Sequence, residues 1–214
     1  MTNSEILSHV DHTLLRADAS ILDIFALCDE AVAHKTASVC IPPSCAGWAR
    51  LQYPELNICT VIGFPLGYMT TSVKLAELIR ADADGADEFD AVINIGSVKN
   101  GALALVEREL DAMRISVSDK ILKVIIETCY LTAEEKISMC EIVTRVGADY
   151  IKTSTGFGSA GAQLSDIELF KKHLGSGVKI KASGGIKTRE AMVSFLSAGC
   201  DRLGTSSAVK ALIG

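Results

Sequence analysis

Aromatic residues, metal-binding motifs and long apolar runs are all scarce in this 214-residue sequence. Only 5% of the residues are aromatic although 49% are hydrophobic, so small and aliphatic side chains must supply most of the core. No apolar run approaches the roughly 20 residues of a membrane-spanning helix, and no basic segment followed by an apolar stretch opens the chain. The sequence therefore predicts a soluble cytoplasmic protein without a membrane partner.

Cysteine and histidine are present but not grouped as ligands. The seven cysteines form no C-x-x-C pair, and the four histidines form no H-x-H or H-E-x-x-H motif. An odd number of thiols in mostly apolar segments is typical of reduced core cysteines, and scattered histidines offer no obvious zinc site. We therefore expect no metal and no cofactor.

The charge distribution argues against nucleic acid as a partner. The 21 basic residues are dispersed and are outnumbered by 26 acidic ones, which leaves a net charge of −5. A small anionic ligand is still compatible with this balance, because local hydrogen-bond donors can outweigh the net charge.

Short apolar strands alternate with amphipathic helices along the whole chain. The strand candidates are His9–Thr13, Ser38–Ile41, Ile58–Ile62, Glu88–Asn94, Leu122–Glu127, Tyr150–Thr153, Val178–Ala182 and Asp201–Thr205. Eight such units on a chain too short for two comfortable domains predict a single (β/α)8 TIM barrel domain over residues 1–214. A doubly wound sheet is the alternative.

Local signals mark several helix ends. Thr132 with Glu135, and Ser165 with Glu168, have the spacing of a capping box at a helix start. A Gly-Ala-Asp or Gly-Cys-Asp tripeptide precedes three strand candidates, where glycine can end a helix in a left-handed conformation. These tripeptides are Gly85–Asp87, Gly147–Asp149 and Gly199–Asp201.

Three strand candidates carry charge on the face that core packing does not explain. In "DYIKTSTG", period-two alternation sends Ile151 to the helix-covered outer face and Lys152 toward the barrel axis. The same alternation turns Lys181 in "VKIKASGG" and Asp90 in "DEFDAVIN" inward. Catalytic groups of barrels lie at the carboxyl ends of strands, so we expect these three side chains to converge.

Two amines beside one carboxylate favour imine chemistry. A lysine with its ordinary pKa of about 10.4 is almost wholly protonated at pH 7 and is then a poor nucleophile. Partial burial and the neighbouring ammonium of Lys181 would favour the free amine of Lys152, while Asp90 would balance charge and pass protons. The alternative reading is that each lysine is simply solvated or salt-bridged.

Segments rich in glycine and hydroxyl groups follow the last three strands. Gly184 and Gly185 follow the seventh strand, and Gly204 to Ser207 follow the eighth. Backbone amides and hydroxyls at these places bind phosphate in many barrels without basic side chains. Thr155 and Gly156, after the sixth strand, lie in a run of small residues that would let a loop close over substrate.

Seven segments, in this order, resemble the deoxyribose-phosphate aldolase family, whose members form a Schiff base with their substrate. They are "VDHTLL", "ICTVIGFPLG", "GADEFDAVINIG", "LKVIIET", "ADYIKTSTGFG", "KASGGI" and "LGTSS". The resemblance implies that Lys152 forms the Schiff base, that Lys181 perturbs it and assists proton transfer, and that Asp90 completes the proton relay. Alternation alone selects the same three residues.

The resemblance also implies a set of binding residues and a reaction. The family's phosphate-binding positions correspond to Gly156, Gly184, Gly185, Gly204, Ser206 and Ser207, with Lys187 where arginine is often found. Thr13 and Thr155 resemble hydroxyls that position water or substrate, and Lys123 and Glu127 resemble an ion pair on the barrel axis. The implied reaction is reversible cleavage of 2-deoxy-D-ribose 5-phosphate to D-glyceraldehyde 3-phosphate and acetaldehyde, in a homo-oligomer of two or more subunits.

Two other functional classes remain open at this point. Another phosphosugar barrel, such as a 2-keto-3-deoxy-sugar aldolase or an isomerase, would use similar phosphate loops, although an isomerase needs a carboxylate base aimed at a carbon acid. A barrel retained as a binding module would not need its two inward lysines.

Overall fold

The computed structural model describes all residues, 1–214, and its eight parallel strands close a barrel in chain order. The strands are β1 (Val10–Thr13), β2 (Ser38–Ile41), β3 (Ile58–Ile62), β4 (Glu88–Val92), β5 (Ile121–Ile125), β6 (Tyr150–Lys152), β7 (Lys179–Ser183) and β8 (Arg202–Thr205). The helices are α1 (Asn3–Leu7), α2 (Ile21–His34), α3 (Ala46–Gln52), α4 (Thr71–Ala83), α5 (Ile95–Lys99), α6 (Leu103–Ser116), α7 (Ala133–Val146), α8 (Leu164–His173), α9 (Arg189–Ala198) and α10 (Ala208–Leu212). The predicted (β/α)8 barrel is confirmed, and the doubly wound alternative is wrong because β1 also pairs with β8.

Two predicted strands end two residues earlier in the structure, each for a local reason. Strand β4 ends at Val92 because Asn94 caps α5, where its side chain accepts a hydrogen bond from the Ser97 N–H at 3.1 Å. Strand β5 ends at Ile125, and Glu127 has a left-handed backbone with φ of 52° that turns the chain away from the sheet.

One of the two predicted capping boxes is present. Thr132 and Glu135 cap α7 reciprocally, as their spacing predicts. The prediction for Ser165 and Glu168 is wrong, because α8 begins at Leu164 and Ser165 already lies within the helix.

The repeated Gly-x-Asp tripeptides fasten one end of the barrel. Gly147 and Gly199 end α7 and α9 with φ of 70° and 109°, as predicted. The aspartate that follows each glycine has a role that the sequence pattern did not show, since its Oδ2 accepts the N–H at or next to the start of an earlier strand. The pairs are Asp87 with Ile58 at 2.9 Å, Asp149 with Leu122 at 2.8 Å and Asp201 with Ile180 at 2.9 Å.

The apolar core lies between the strands and the surrounding helices, and the barrel interior is charged instead. Ile151 and Ile180 pack in the outer core, while Lys152 and Lys181 point inward from the same strands. Gly204 on β8 makes room for this arrangement, since a Cβ there would lie 2.9 Å from the Cβ of Ser183 and 3.2 Å from the Cε of Lys181. None of the helices combines the length and apolar character that crossing a bilayer demands.

Candidate active site

The three inward residues selected from the sequence meet at one point. Lys152 on β6 pairs in register with Lys181 on β7, and Asp90 on β4 faces both of them. Oδ2 of Asp90 accepts hydrogen bonds from Lys152 Nζ at 2.6 Å and from Lys181 Nζ at 2.5 Å. All three side chains are buried, and Lys152 is the least so, with 3% of its surface exposed. The expected convergence is therefore present in the structure.

The neighbouring charges decide the protonation of Asp90 and Lys181. Burial by itself would raise the pKa of Asp90, but Lys123, Lys152 and Lys181 together hold it well below its usual range. Burial would likewise lower the pKa of Lys181, but the carboxylates of Asp11 and Asp90 outweigh that effect and raise it. At neutral pH the centre thus holds an ionised carboxylate and a protonated Lys181.

Asp11 is a buried member of this cluster that our sequence analysis missed. Its Oδ2 accepts a hydrogen bond from Lys181, and its Oδ1 accepts one from Ser38 Oγ at 2.7 Å. Lys123 and Arg202 hold the pKa of Asp11 below its usual range together with Lys181, against the effect of burial. A usable signal existed, because alternation in "VDHT" turns Asp11 to the same face as Thr13.

Lys123 and Glu127 do not form the ion pair implied by the family resemblance. Lys123 Nζ lies 2.5 Å from Glu88 and 2.8 Å from Asp90, inside the barrel. Glu127 lies beyond the end of β5, where its carboxylate accepts the Thr155 N–H at 3.2 Å and the Thr155 hydroxyl. Strand register separates the two, because Lys123 lies at the level of Asp90 and Glu127 at the level of the loops.

A cavity of about 480 Å³ opens at the carboxyl ends of β1, β6, β7 and β8. Its size suits a small ligand. Every predicted binding residue lines it, namely Thr13, Thr155, Gly156, Gly184, Gly185, Lys187, Gly204, Ser206 and Ser207. Of the charged side chains that surround Asp90, only Lys152 lines this cavity. Leu14, Leu15, Arg16 and Phe157 also line this cavity and were not predicted. They lie in loops, where no regular alternation of side chains indicates which residues face the cavity.

The loops around this cavity owe their shape to glycine and to one threonine. Gly184 and Gly185 both have positive φ, at 84° and 78°, which a Cβ would disfavour. The Thr155 hydroxyl donates to Glu127 and accepts the Phe157 N–H at 3.0 Å, so it orders the loop after β6. Thr13, by contrast, donates its hydroxyl to the carbonyl of Asp11 at 2.7 Å on the opposite wall.

Three potential metal ligands also lie near the centre. The Sγ atoms of Cys40 and Cys59 and a carboxylate oxygen of Asp90 are within 4.8 Å of one another. Asp90, however, already contacts three lysine side chains, and Lys123 Nζ lies 3.2 Å from the Cys59 Sγ. Cationic neighbours oppose a second cation at this place, and our expectation that the protein needs no metal stays a prediction.

Comparison with known proteins identifies the family. The model of the DeoC/LacD family aldolases matches residues 6–205. The chain belongs to this aldolase family. It is therefore an enzyme of the carbon–carbon lyase class, and neither the isomerase nor the binding-module reading applies.

Individual relatives match the aldolase chain over nearly its full length. A deoxyribose-phosphate aldolase from Clostridium botulinum (strain Eklund 17B / Type B) is 58% identical over 215 residues, which cover 100% of this chain and 97% of the relative. One from Clostridioides difficile (strain 630) is 53% identical over 97% of this chain and 95% of its own. The tetrameric deoxyribose phosphate aldolase from Aeropyrum pernix superposes with a TM-score of 0.90 at 30% identity, covering 99% of this chain and 91% of that one.

Proposed function

We propose that this aldolase reversibly cleaves 2-deoxy-D-ribose 5-phosphate to D-glyceraldehyde 3-phosphate and acetaldehyde through a Schiff base on Lys152. One observation carries the assignment of the nucleophile: of the three lysines that contact Asp90, only Lys152 also lines the cavity. An incoming aldehyde can reach its Nζ, whereas Lys123 and Lys181 are enclosed. The substrate is proposed from the relatives at 58% and 53% identity, which are deoxyribose-phosphate aldolases.

The proposed reaction begins with attack of neutral Lys152 on C1 of the open-chain aldehyde. Loss of water from the resulting carbinolamine forms an iminium ion, which withdraws electrons from the C2–C3 bond. A water molecule held by Asp90 and Lys181 takes the proton of the C3 hydroxyl. The C2–C3 bond then breaks, D-glyceraldehyde 3-phosphate leaves, and an enamine remains on Lys152. Protonation of the enamine carbon and hydrolysis of the imine release acetaldehyde and restore the amine.

The charges of the centre support this sequence of steps. Asp90 stays ionised and Lys181 stays protonated, for the reasons given above, so the pair offers one proton acceptor and one donor beside the reacting nitrogen. As the C2–C3 bond breaks, the iminium nitrogen of Lys152 becomes the neutral nitrogen of the enamine, and its attraction to the Asp90 oxygen that it shares with Lys181 falls. That oxygen is then free to accept a proton from water.

The phosphate is proposed to bind in the loops after β6, β7 and β8. The left-handed backbone at Gly184 and Gly185 would offer N–H groups to the phosphate, and Ser206 and Ser207 add hydroxyls at the same wall. Lys187 contributes one positive charge at the same wall. This division leaves the aldehyde end of the sugar near Lys152.

Trapping of the imine tests the mechanism directly. The protein is incubated with 2-deoxyribose 5-phosphate or acetaldehyde, reduced with borohydride and measured by intact mass and peptide mapping. We expect a stable adduct on Lys152 that is missing in Lys152→Ala and retained in the control Lys172→Ala, which removes an exposed lysine of α8. A folded wild-type protein that forms no adduct would contradict the Schiff-base mechanism.

Two broader properties follow from the same proposal. The sugar it consumes derives from deoxyribonucleosides, so the proposed role is in their breakdown, and a cytoplasmic location stays a prediction. Self-association is proposed from the tetrameric Aeropyrum pernix relative. Light scattering coupled to size exclusion measures the mass of the assembly, and a monomer would contradict that part.

A further inference from the structure

Seven charged side chains, six of them buried and Arg202 partly buried, fill the barrel interior beneath the cavity. The basic members are Lys123, Lys152, Lys181 and Arg202, and the acidic members are Asp11, Glu88 and Asp90. Four cations therefore face three carboxylates. Positive charge in excess inside a protein is costly, and a titratable member of the cluster relieves that cost by losing its proton.

Arg202 lies at the opposite end of its strand from the cavity. It begins β8, whereas Lys152 ends β6 at the cavity. Its guanidinium donates to Oδ1 of Asp11 and, at 3.4 Å, to both carboxylate oxygens of Glu88, and its Cζ lies 5.6 Å from the ring centre of Tyr150. Arg202 does not line the cavity, so it cannot touch a substrate there.

A continuous set of ion pairs joins Arg202 to Lys152. Asp11 binds Arg202 through one carboxylate oxygen and Lys181 through the other. Lys181 then donates to Oδ2 of Asp90, the same oxygen that Lys152 uses. Arg202 takes one of the two carboxylate oxygens of Asp11, so Asp11 shares its negative charge between Arg202 and Lys181. Lys181 therefore also pairs with Asp90, where it competes with Lys152 for the same oxygen.

The four cations differ in how easily they can become neutral. A guanidinium does not lose its proton in proteins. Lys123 lies within 4 Å of three carboxylates and Lys181 contacts two, whereas Lys152 contacts only Asp90. Of the three lysines, Lys152 is therefore held by the fewest ion pairs.

Five other titratable groups lie around the cluster, and one of them works against this bias toward a neutral Lys152. They are Cys40 on β2, Cys59 on β3, Glu127 after β5, Tyr150 on β6 and Lys179 on β7. Cys40 is the one that opposes it, because the hydrogen bond with Cys59 and the ammonium groups of Lys181 and Lys152 lower the pKa of Cys40. Glu127 faces Lys152 from the loop side, where burial raises the pKa of its carboxyl group although the Thr155 N–H and hydroxyl donate to it. Burial also raises the pKa of Cys59 well above its usual value, so it stays a neutral thiol.

We propose that Arg202 is a positioning residue for imine formation: by occupying Asp11 it makes Lys181 share Oδ2 of Asp90, which weakens the hold of Asp90 on Lys152 and frees the Lys152 amine for attack. This inference rests on the Schiff-base function proposed above. Lys181 then does not act alone on Lys152. Because Asp11 also pairs with Arg202, it cannot balance the charge of Lys181 by itself.

The test removes a positive charge at Arg202 or a negative charge at Glu88, two residues that begin their strands on the side of the cluster away from the cavity. The pH dependence of kcat/KM for 2-deoxyribose 5-phosphate, and of acetaldehyde adduct formation trapped with cyanoborohydride, is measured for Arg202→Met, Glu88→Gln and the double variant. We expect the acidic limb of both profiles to move to higher pH by on the order of one unit in Arg202→Met and to lower pH in Glu88→Gln. The double variant lacks one positive and one negative charge, so the cluster keeps its wild-type net charge. The acidic limb of its profiles should therefore return to the wild-type position.

Two further variants separate charge from structure. Arg202→Lys keeps the positive charge and should retain the wild-type limb. Arg145→Met removes a cation whose ion pair with Glu107 lies on the outer surface, at 2.8 Å, and should not shift the profile. If Arg202→Met does not fold, Arg202→Gln, which keeps a hydrogen-bond donor for Asp11 without the positive charge, takes its place.

The inference and the function proposed above fail in different ways. An adduct that forms normally in wild type, with no shift or a shift of the same sign in the Arg202 and Glu88 variants, would overturn the role of Arg202 and leave the Schiff base intact. A uniform loss of rate at every pH would do the same, because it indicates a structural role only. Absence of a wild-type adduct at every pH would overturn both.

Discussion

Lys152 and Lys181, paired in register on neighbouring strands, donate hydrogen bonds to the same carboxylate oxygen of Asp90. Two ammonium groups cannot both be fully satisfied by one oxygen, and the two residues are not equivalent. Lys181 also pairs with a second carboxylate, Asp11, which raises the pKa of Lys181. Lys152 has no second carboxylate partner and instead lines the cavity. This asymmetry separates a lysine that holds charge from a lysine that can react.

The close approach at Gly204 makes this position intolerant of any side chain. In Gly204→Ala the new Cβ would lie 2.9 Å from Ser183 Cβ and 3.2 Å from Lys181 Cε, so the free energy of unfolding should fall by about 1–3 kcal/mol. Because Lys181 must move, kcat should fall as well. Urea unfolding and steady-state kinetics measure the two effects. Gly47→Ala, where the nearest atom is 3.7 Å away within α3, is the matched control and should be neutral or stabilising.

A negative charge in the phosphate loop should discriminate between phosphorylated and unphosphorylated sugars. In Ser206→Glu, repulsion should raise KM for 2-deoxyribose 5-phosphate by at least about tenfold and leave kcat/KM for 2-deoxyribose nearly unchanged. Ser176→Glu, an exposed change on the loop before β7 at the other end of the barrel, provides the control. Equal losses for both sugars would argue against phosphate binding at Ser206.

Buried thiols should resist alkylation in the folded enzyme. Burial raises the pKa of Cys28, Cys140 and Cys200 to about 12, so almost no thiolate is present at pH 8. Cys40 and Cys59 are also buried, which leaves only the partly exposed Cys45 and Cys129 accessible. Mass spectrometry after iodoacetamide treatment at pH 8 should find two modified cysteines in the native protein and seven after unfolding. Rapid modification of a third would contradict the assigned burial.

Acid should weaken the fold through the central carboxylates. The pKa values of Asp90 and Asp11 are lowered in the folded protein, so these groups bind protons more readily in the unfolded chain, where the ordinary value is about 3.9. Their stabilising effect is therefore complete above about pH 5 and is lost as pH falls through 4 and below. Urea titrations from pH 6 to pH 3 should show a steep fall in the free energy of unfolding.

Two variants test whether Asp90 contributes to this acid sensitivity. Asp90→Asn should make the fall shallower, because one of the protons taken up on unfolding is removed. Asp18→Asn should leave the slope unchanged, since Asp18 forms only an exposed ion pair with Arg16. The same slope in Asp90→Asn as in wild type would show that other groups control acid unfolding.

Local sequence signals determined the barrel and the identity of its inward charges. Periodic apolar segments indicated eight strands with helices between them, and alternation separated Ile151 from Lys152 and Ile180 from Lys181, because successive side chains of a strand point to opposite faces. Glycine and hydroxyl residues after the last strands indicated the cavity wall. Each of these signals is local, so each can be read before the chain folds.

Only the tertiary structure decided which of these charges meet. The predicted pairing of Lys123 with Glu127 failed because strand register brings Lys123 to Glu88 and Asp90 instead. The link from Arg202 through Asp11 to Lys181 joins residues 191 and 170 positions apart in the chain, a contact that exists only because β8 closes against β1. Alternation fixes the face on which a side chain lies, but barrel closure and register fix its height and its neighbours, and electrostatic interactions depend on those distances.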